Sequence, residues 1–139
     1  MLRELALSTV MVLATVGMHG FGLHYLRALV DWAGRTRPFG VWRFSRKGLM
    51  VGTIVLGFYV LHGVEIWFYA VVYRALGAVD NLRDAVYFST ITYGAIGYTD
   101  IHIAEPWKIV GAIEGINGVL LLGWSVAFFV TTMMRVRRW

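Results

Sequence analysis

Apolar residues run along this chain in three long blocks, at about 5–26, 49–73 and 109–134, interrupted only by isolated polar side chains. A helix needs roughly 20 residues to cross about 30 Å of hydrocarbon, so each block is long enough to span. Between the second and third blocks the pattern changes. Asp80 or Asn81 stands where a helix cap is wanted, Asp84 falls in the favourable first turn, and residues 82–93 follow as a short helix. Twelve residues rise only about 18 Å, too little to span but enough to dip halfway in and return. The return runs through Gly94-Ala95-Ile96-Gly97-Tyr98-Thr99-Asp100, a segment punctuated by glycine. The pattern predicts an all-α membrane protein with three transmembrane helices and one re-entrant helix and loop.

Composition strengthens this picture. The chain is 58% hydrophobic, against about 45–50% in ordinary soluble domains. Its net charge of +5 comes from two blocks rather than from a face interleaved with aromatics, which argues against a nucleic-acid partner. One block holds Arg27, Arg35, Arg37, Arg43, Arg46 and Lys47 against Asp31; the other is Arg135, Arg137 and Arg138. Loops rich in Lys and Arg stay cytoplasmic. The expected topology therefore has the N-terminus outside, residues 75–107 outside and the C-terminus cytoplasmic. Arg3 before an apolar run suggests a signal peptide. Glu4 follows at once, however, and no small-x-small cleavage site stands out, so the run is read as a retained helix. Pro38 to Phe44 mixes aromatics with cations and suits either an interfacial segment or an ordinary charged connection. With no cysteine, disulfides and thiolate metal sites are excluded.

The ordered set from His62 to Arg135 resembles the small bacterial members of the potassium-channel superfamily: outer helix, pore helix, Ile96-Gly97-Tyr98, Asp100, and an inner helix containing Gly118-Val119-Leu120-Leu121-Leu122-Gly123. The chain then divides into an N-terminal transmembrane helix at 1–30 and a basic cytoplasmic linker at 31–48, both read from the apolar and charge pattern, and a pore domain at 49–139 that the resemblance implies. Within that domain it implies an outer helix at 49–74, a pore helix at 82–93, a filter at 94–100 and an inner helix at 109–134. It further implies a homotetramer around a central pore, with carbonyls of Ala95, Ile96, Gly97 and Tyr98 replacing the hydration of permeant K⁺ or Na⁺. Gly118 or Gly123 would be the gating hinge. Two filter positions depart from the family. Ala95 stands where a threonine hydroxyl is usual, and Thr99 stands where glycine is usual, so a weaker potassium preference or low conductance is expected. A rival register places Thr90-Ile91-Thr92-Tyr93-Gly94 on the filter, but leaves only residues 82–89 for the pore helix.

Several polar residues sit inside the apolar blocks, where an acid is costly and often functional. Glu114 and Asn117 are i and i+3 on one helix face. Glu114 suits bracing of the filter, contact with ions or a snorkelling surface position; Asn117 suits the cavity or an interhelical hydrogen bond. Thr92 is expected to support the filter or face the cavity. Asp100 suits a ring of carboxylates at the outer mouth or a simple backbone cap. His62 and Glu65 are expected to make a polar contact that supports the pore helix. His19 and His24, five apart on one helix, diverge, so no firm metal or haem pair is read from spacing. Trp42, Trp67 and Trp107 suit interfacial anchors.

The function expected is passive cation conduction, with no enzyme chemistry, no cofactor beyond permeant ions, and no partner beyond the bilayer and copies of itself. The main alternative is a non-conducting accessory subunit acting as a scaffold. A cytochrome-like redox subunit using His19, His24 or His62 is a more distant one, which a visible spectrum would detect.

Overall fold

The computed structural model describes residues 1–35, 46–97, 101 and 103–136. Among them, all regular structure is helical: α1 (Leu2–Arg35), α2 (Arg46–Ala75), α3 (Leu82–Tyr93) and α4 (Lys108–Val136), the last entered through a short 3₁₀ turn, Glu105–Trp107. Helices α1, α2 and α4 are each long and apolar enough to cross a membrane, and the chain is an integral membrane protein. The first helix runs to Arg35, beyond the expected limit at 30, and the second begins at Arg46 inside the expected linker. The hydrocarbon limits where apolar residues must stop, not where a helix must. Asp31 and Arg35, one turn apart, continue α1 past the apolar block, and the Arg35 Nε–H donates to the Asp31 carbonyl. The expectations for Pro38 to Phe44, Tyr98, Thr99 and Asp100 lie outside the described residues.

Paired contacts fix the topology. From α1 to α2 they run Gly22 to Leu61 and Leu26 to Gly57, so these helices are antiparallel; at each crossing a leucine fills the space a glycine leaves open. From α1 to α4 they run Thr15 to Asn117 and His19 to Ser125, so these two are parallel. Leu23, Leu26, Val30 and Ile54 form one buried cluster between α1 and α2, with Phe128, Phe129 and Met133 of α4 packed against it. A second cluster joins Met11, Tyr69, Tyr73, Phe88 and Val110. The first helix is thus packed into the body formed by the other three.

Candidate functional site

Helix α3 starts for local reasons. Asn81 is its N-cap, with extended backbone, and its side chain accepts from the Asp84 backbone N–H at 2.9 Å while donating to the Asp84 carboxylate at 2.6 Å. Just before it, α2 ends in a Schellman cap: the Ala78 N–H reaches the Tyr73 carbonyl, the Gly77 N–H reaches Arg74, and Gly77 takes φ +63°. Both caps lie at the same end of the molecule as the start of α4, since the Ala104 N–H donates to the Ala78 carbonyl at 2.9 Å. A chain that enters along α3 has therefore come back by residue 104, which makes α3 re-entrant.

α3 descends along α4 because α4 offers small residues to it. A Cβ at Gly111 would lie 3.2 Å from the Phe88 ring, one at Gly115 would lie 3.3 Å from the Thr92 carbonyl oxygen, and one at Gly118 would lie 2.1 Å from the Tyr93 carbonyl oxygen. Gly118 is thus needed for close backbone approach, inside a helix that continues unbroken to Val136. Gly123 has open space around it. Thr92 is half-buried against this stripe, and its carbonyl accepts from the Ala95 N–H.

The segment after α3 turns tightly instead of extending at once. The Ala95 N–H donates to the Thr92 carbonyl at 2.9 Å and the Ile96 N–H donates to the Ile91 carbonyl at 2.8 Å, a second Schellman cap; the Gly97 N–H joins the same Ile91 oxygen at 3.1 Å. Ala95 takes φ +54° and Gly97 takes φ +68°. Glycine adopts the left-handed region freely, whereas alanine there costs roughly 1–2 kcal/mol. Thr99, which stands where the family has glycine, lies outside the described residues; among the described residues the non-glycine left-handed residue is Ala95. All four residues from Gly94 to Gly97 are exposed. They follow directly on Thr92 and Tyr93, whose carbonyls lie against Gly115 and Gly118 of α4, about 10–15 Å along that helix from its start.

The two acids inside the apolar blocks both bond to α3. Glu114 is fully buried and accepts from Ser89 of α3 at 2.5 Å and from Tyr73 of α2 at 2.6 Å. Its neighbour Asn117 donates to Thr15 of α1 at 2.8 Å and to the Tyr69 hydroxyl at 3.3 Å, so it is an interhelical link and not a cavity residue. Leu121 continues this face and is buried as well.

Glu65 of α2, also fully buried, gathers more partners. Its Oε1 lies 2.9 Å from His19 Nδ1, and its Oε2 lies 3.2 Å from His62 Nδ1 and accepts from the Tyr93 hydroxyl at 2.5 Å. On the far side of the two rings, the Ser125 hydroxyl lies 3.0 Å from His62 Nε2 and 3.3 Å from His19 Nε2. The expected His62 to Glu65 contact is present and reaches α3 through Tyr93. His24 takes no part in this cluster: it stands edge-on to Tyr25.

Sequence reasoning missed the roles of Tyr93, Ser125, Tyr73, Ser89 and Thr15, and it weighed His19 only against His24 on its own helix. The available signal was one polar side chain per turn or two in each apolar block, which marks buried partners without saying who pairs with whom. Among the described residues, His19, His62 and Glu65 are the group able to hold a metal ion. A family model described as an ion channel matches residues 54–135, more than half of the 139-residue chain. No curated protein and no solved structure matches it.

Proposed function

This chain belongs to the ion channel family, and we propose that it conducts monovalent cations as a homotetramer in a bacterial inner membrane, along a path bounded by backbone carbonyls of Ala95 to Tyr98. The observation that carries this reading is the exposed, non-helical backbone of Gly94 to Gly97, directly after Thr92 and Tyr93, whose carbonyls lie against Gly115 and Gly118 of the spanning helix α4. In hydrocarbon such backbone is tolerated only where protein or water covers it. Four copies meeting at this segment supply both, with water and ions on the axis. The N–H groups of residues 94–97 are spent on α3 carbonyls, which leaves carbonyl oxygens as the groups to offer to a cation. The exposed face of α4 that includes Ile116, Leu120, Val130 and Met134 would line the path beneath, and the C-terminal end of each α3 would aim its negative dipole end at a cation there. Asp100 would stand at the outer mouth, with the basic linker and the C-terminus cytoplasmic.

Potassium preference is proposed to be weak. Ala95 brings no hydroxyl to the innermost position, and fewer well-formed sites in series disfavour knock-on conduction. Native mass measurement together with liposome flux under potassium and sodium gradients tests the reading. A tetramer that passes both ions is expected. A monomer, or a dimer without flux, would remove the pore, and strong exclusion of sodium would remove the argument from Ala95.

A further inference from the structure

Two imidazoles and a phenol meet the buried Glu65 carboxylate, and Ser125 closes the cluster from the far side. Ser125 carries a single hydroxyl proton and faces both Nε2 atoms, at 3.0 and 3.3 Å. If both rings are neutral, Ser125 donates to one Nε2 and accepts from the other. The ring that donates to Ser125 then has a bare Nδ1, and both Nδ1 atoms face the Glu65 carboxylate, at 2.9 and 3.2 Å. If that ring is His19, its lone pair is set against the carboxylate; if it is His62, its Nδ1 accepts from the Tyr93 hydroxyl at 2.8 Å instead. A metal ion on the Glu65 side would use both Nδ1 lone pairs at once.

Four donor atoms converge there from three helices: His19 Nδ1 of α1, His62 Nδ1 and a Glu65 oxygen of α2, and the Tyr93 hydroxyl of α3. His62 Nδ1 lies 2.8 Å from the Tyr93 oxygen, and the His19, His62 and Glu65 ligand atoms all lie within 4.8 Å of one another. Ligands around a tetrahedral zinc ion at about 2.0–2.1 Å are separated by about 3.3 Å, so the close pairs, Tyr93 with Glu65 at 2.5 Å and with His62 at 2.8 Å, open by about 0.5–0.8 Å and pairs at up to 4.8 Å close by up to about 1.5 Å to admit the ion. An added proton serves one pair of atoms, whereas a metal ion uses all four. With both Nδ1 lone pairs on the metal, both Nε2–H groups donate to Ser125, whose oxygen accepts two bonds. This is the outer hydrogen bond that metal-bound imidazoles normally keep. The C-terminal end of α3, where Tyr93 sits, adds negative potential. His19 and Glu65 are fully buried, while the His62 side chain is 13% exposed and gives the route of entry.

We propose that His19, His62, Glu65 and Tyr93 bind one divalent transition-metal ion of the zinc class per chain, and that the ion ties α1 and α2 to the inner end of α3. Spacing within α1 gave no ligand pair, because the pairing runs between helices. The site needs neither the tetramer nor conduction, so its failure and that of the pore reading are separable. The full chain, purified in detergent and stripped with chelator, is titrated with Co²⁺ and then Zn²⁺. One equivalent of Co²⁺ should give the visible bands of four-coordinate cobalt, and Zn²⁺ should displace it. Ser125→Ala should weaken binding about 10–100-fold, Glu65→Gln should abolish the cobalt bands, and His24→Gln should change nothing. Absence of four-coordinate bands from the unmodified chain overturns the proposal and leaves the cluster a hydrogen-bonded network only. Ser125→Ala binding with unchanged affinity overturns it equally, and that reading stands even if Glu65→Gln does not fold.

Discussion

The two ends of α3 are held by different chemistry. At the outer end Asn81 and Asp84, three residues apart, satisfy the helix start between themselves. At the inner end Tyr93 is held by Glu65 and His62 of α2, its carbonyl lies against Gly118 of α4, and the chain leaves through a left-handed alanine. The outer end is fixed by its own few residues; the inner end is fixed by side chains from α2 and α4, backed by His19 of α1. The end that leads into the exposed loop is therefore the end on which distant parts of the chain converge. This also gives α1 a role beyond anchoring, since His19 completes the support of Tyr93.

The largest break in this contrast is at Glu65. Glu65→Leu leaves two imidazoles and a phenol without their shared acceptor, and removal of one member of a buried charged network costs about 3–5 kcal/mol. Asn81→Ala, at the other end, costs about 1 kcal/mol for a lost cap. Unfolding of the purified, metal-free protein in detergent measures both. Equal losses would mean that the inner network adds nothing beyond an ordinary helix cap.

A smaller effect is expected at Gly118. The Cβ of Gly118→Ala would sit 2.1 Å from a backbone oxygen, which no rotamer change relieves, so α3 and α4 must separate at a cost of about 1–3 kcal/mol. Gly123→Ala, with open space around it, should cost nothing in stability. If the two variants unfold alike, close packing is not what Gly118 provides, and a hinge role returns.

The contrast between the ends of α3 also separates what could be read from the sequence from what could not. Three spanning blocks and a short capped helix followed from apolar run length and from Asn81 with Asp84, because these are local signals. That Glu114 and Glu65 would both be tied to α3 was only partly legible. The cost of an acid in the membrane predicts that each has partners, but Ser89 and Tyr73, or His19 and Ser125, are identified only once four helices have packed. Gly118 drew attention as a helix glycine, yet its reason lies in the backbone of another helix. At Ala95 the sequence showed a missing hydroxyl, while the structure adds a left-handed backbone, which residue type alone does not reveal.

That backbone supports the smallest prediction. Ala95 and Gly77 occupy the same position of two Schellman caps, each followed by a residue bonding back five positions, but one is alanine at φ +54° and the other glycine at φ +63°. Ala95→Gly removes roughly 1–2 kcal/mol of left-handed strain and adds about 0.5–1 kcal/mol of chain entropy to be lost on folding. A net gain of about 0.5 kcal/mol per chain remains. Ala95→Thr restores the hydroxyl common in the potassium-channel superfamily but puts a β-branched residue in the same region, so it should be less stable than the unmodified chain. Unfolding midpoints in the order glycine above alanine above threonine at position 95 would show that strain is stored where α3 hands the chain to the exposed loop. A threonine variant as stable as the parent would mean that the left-handed turn relaxes at no cost, and that the missing hydroxyl, not the backbone, is what sets Ala95 apart.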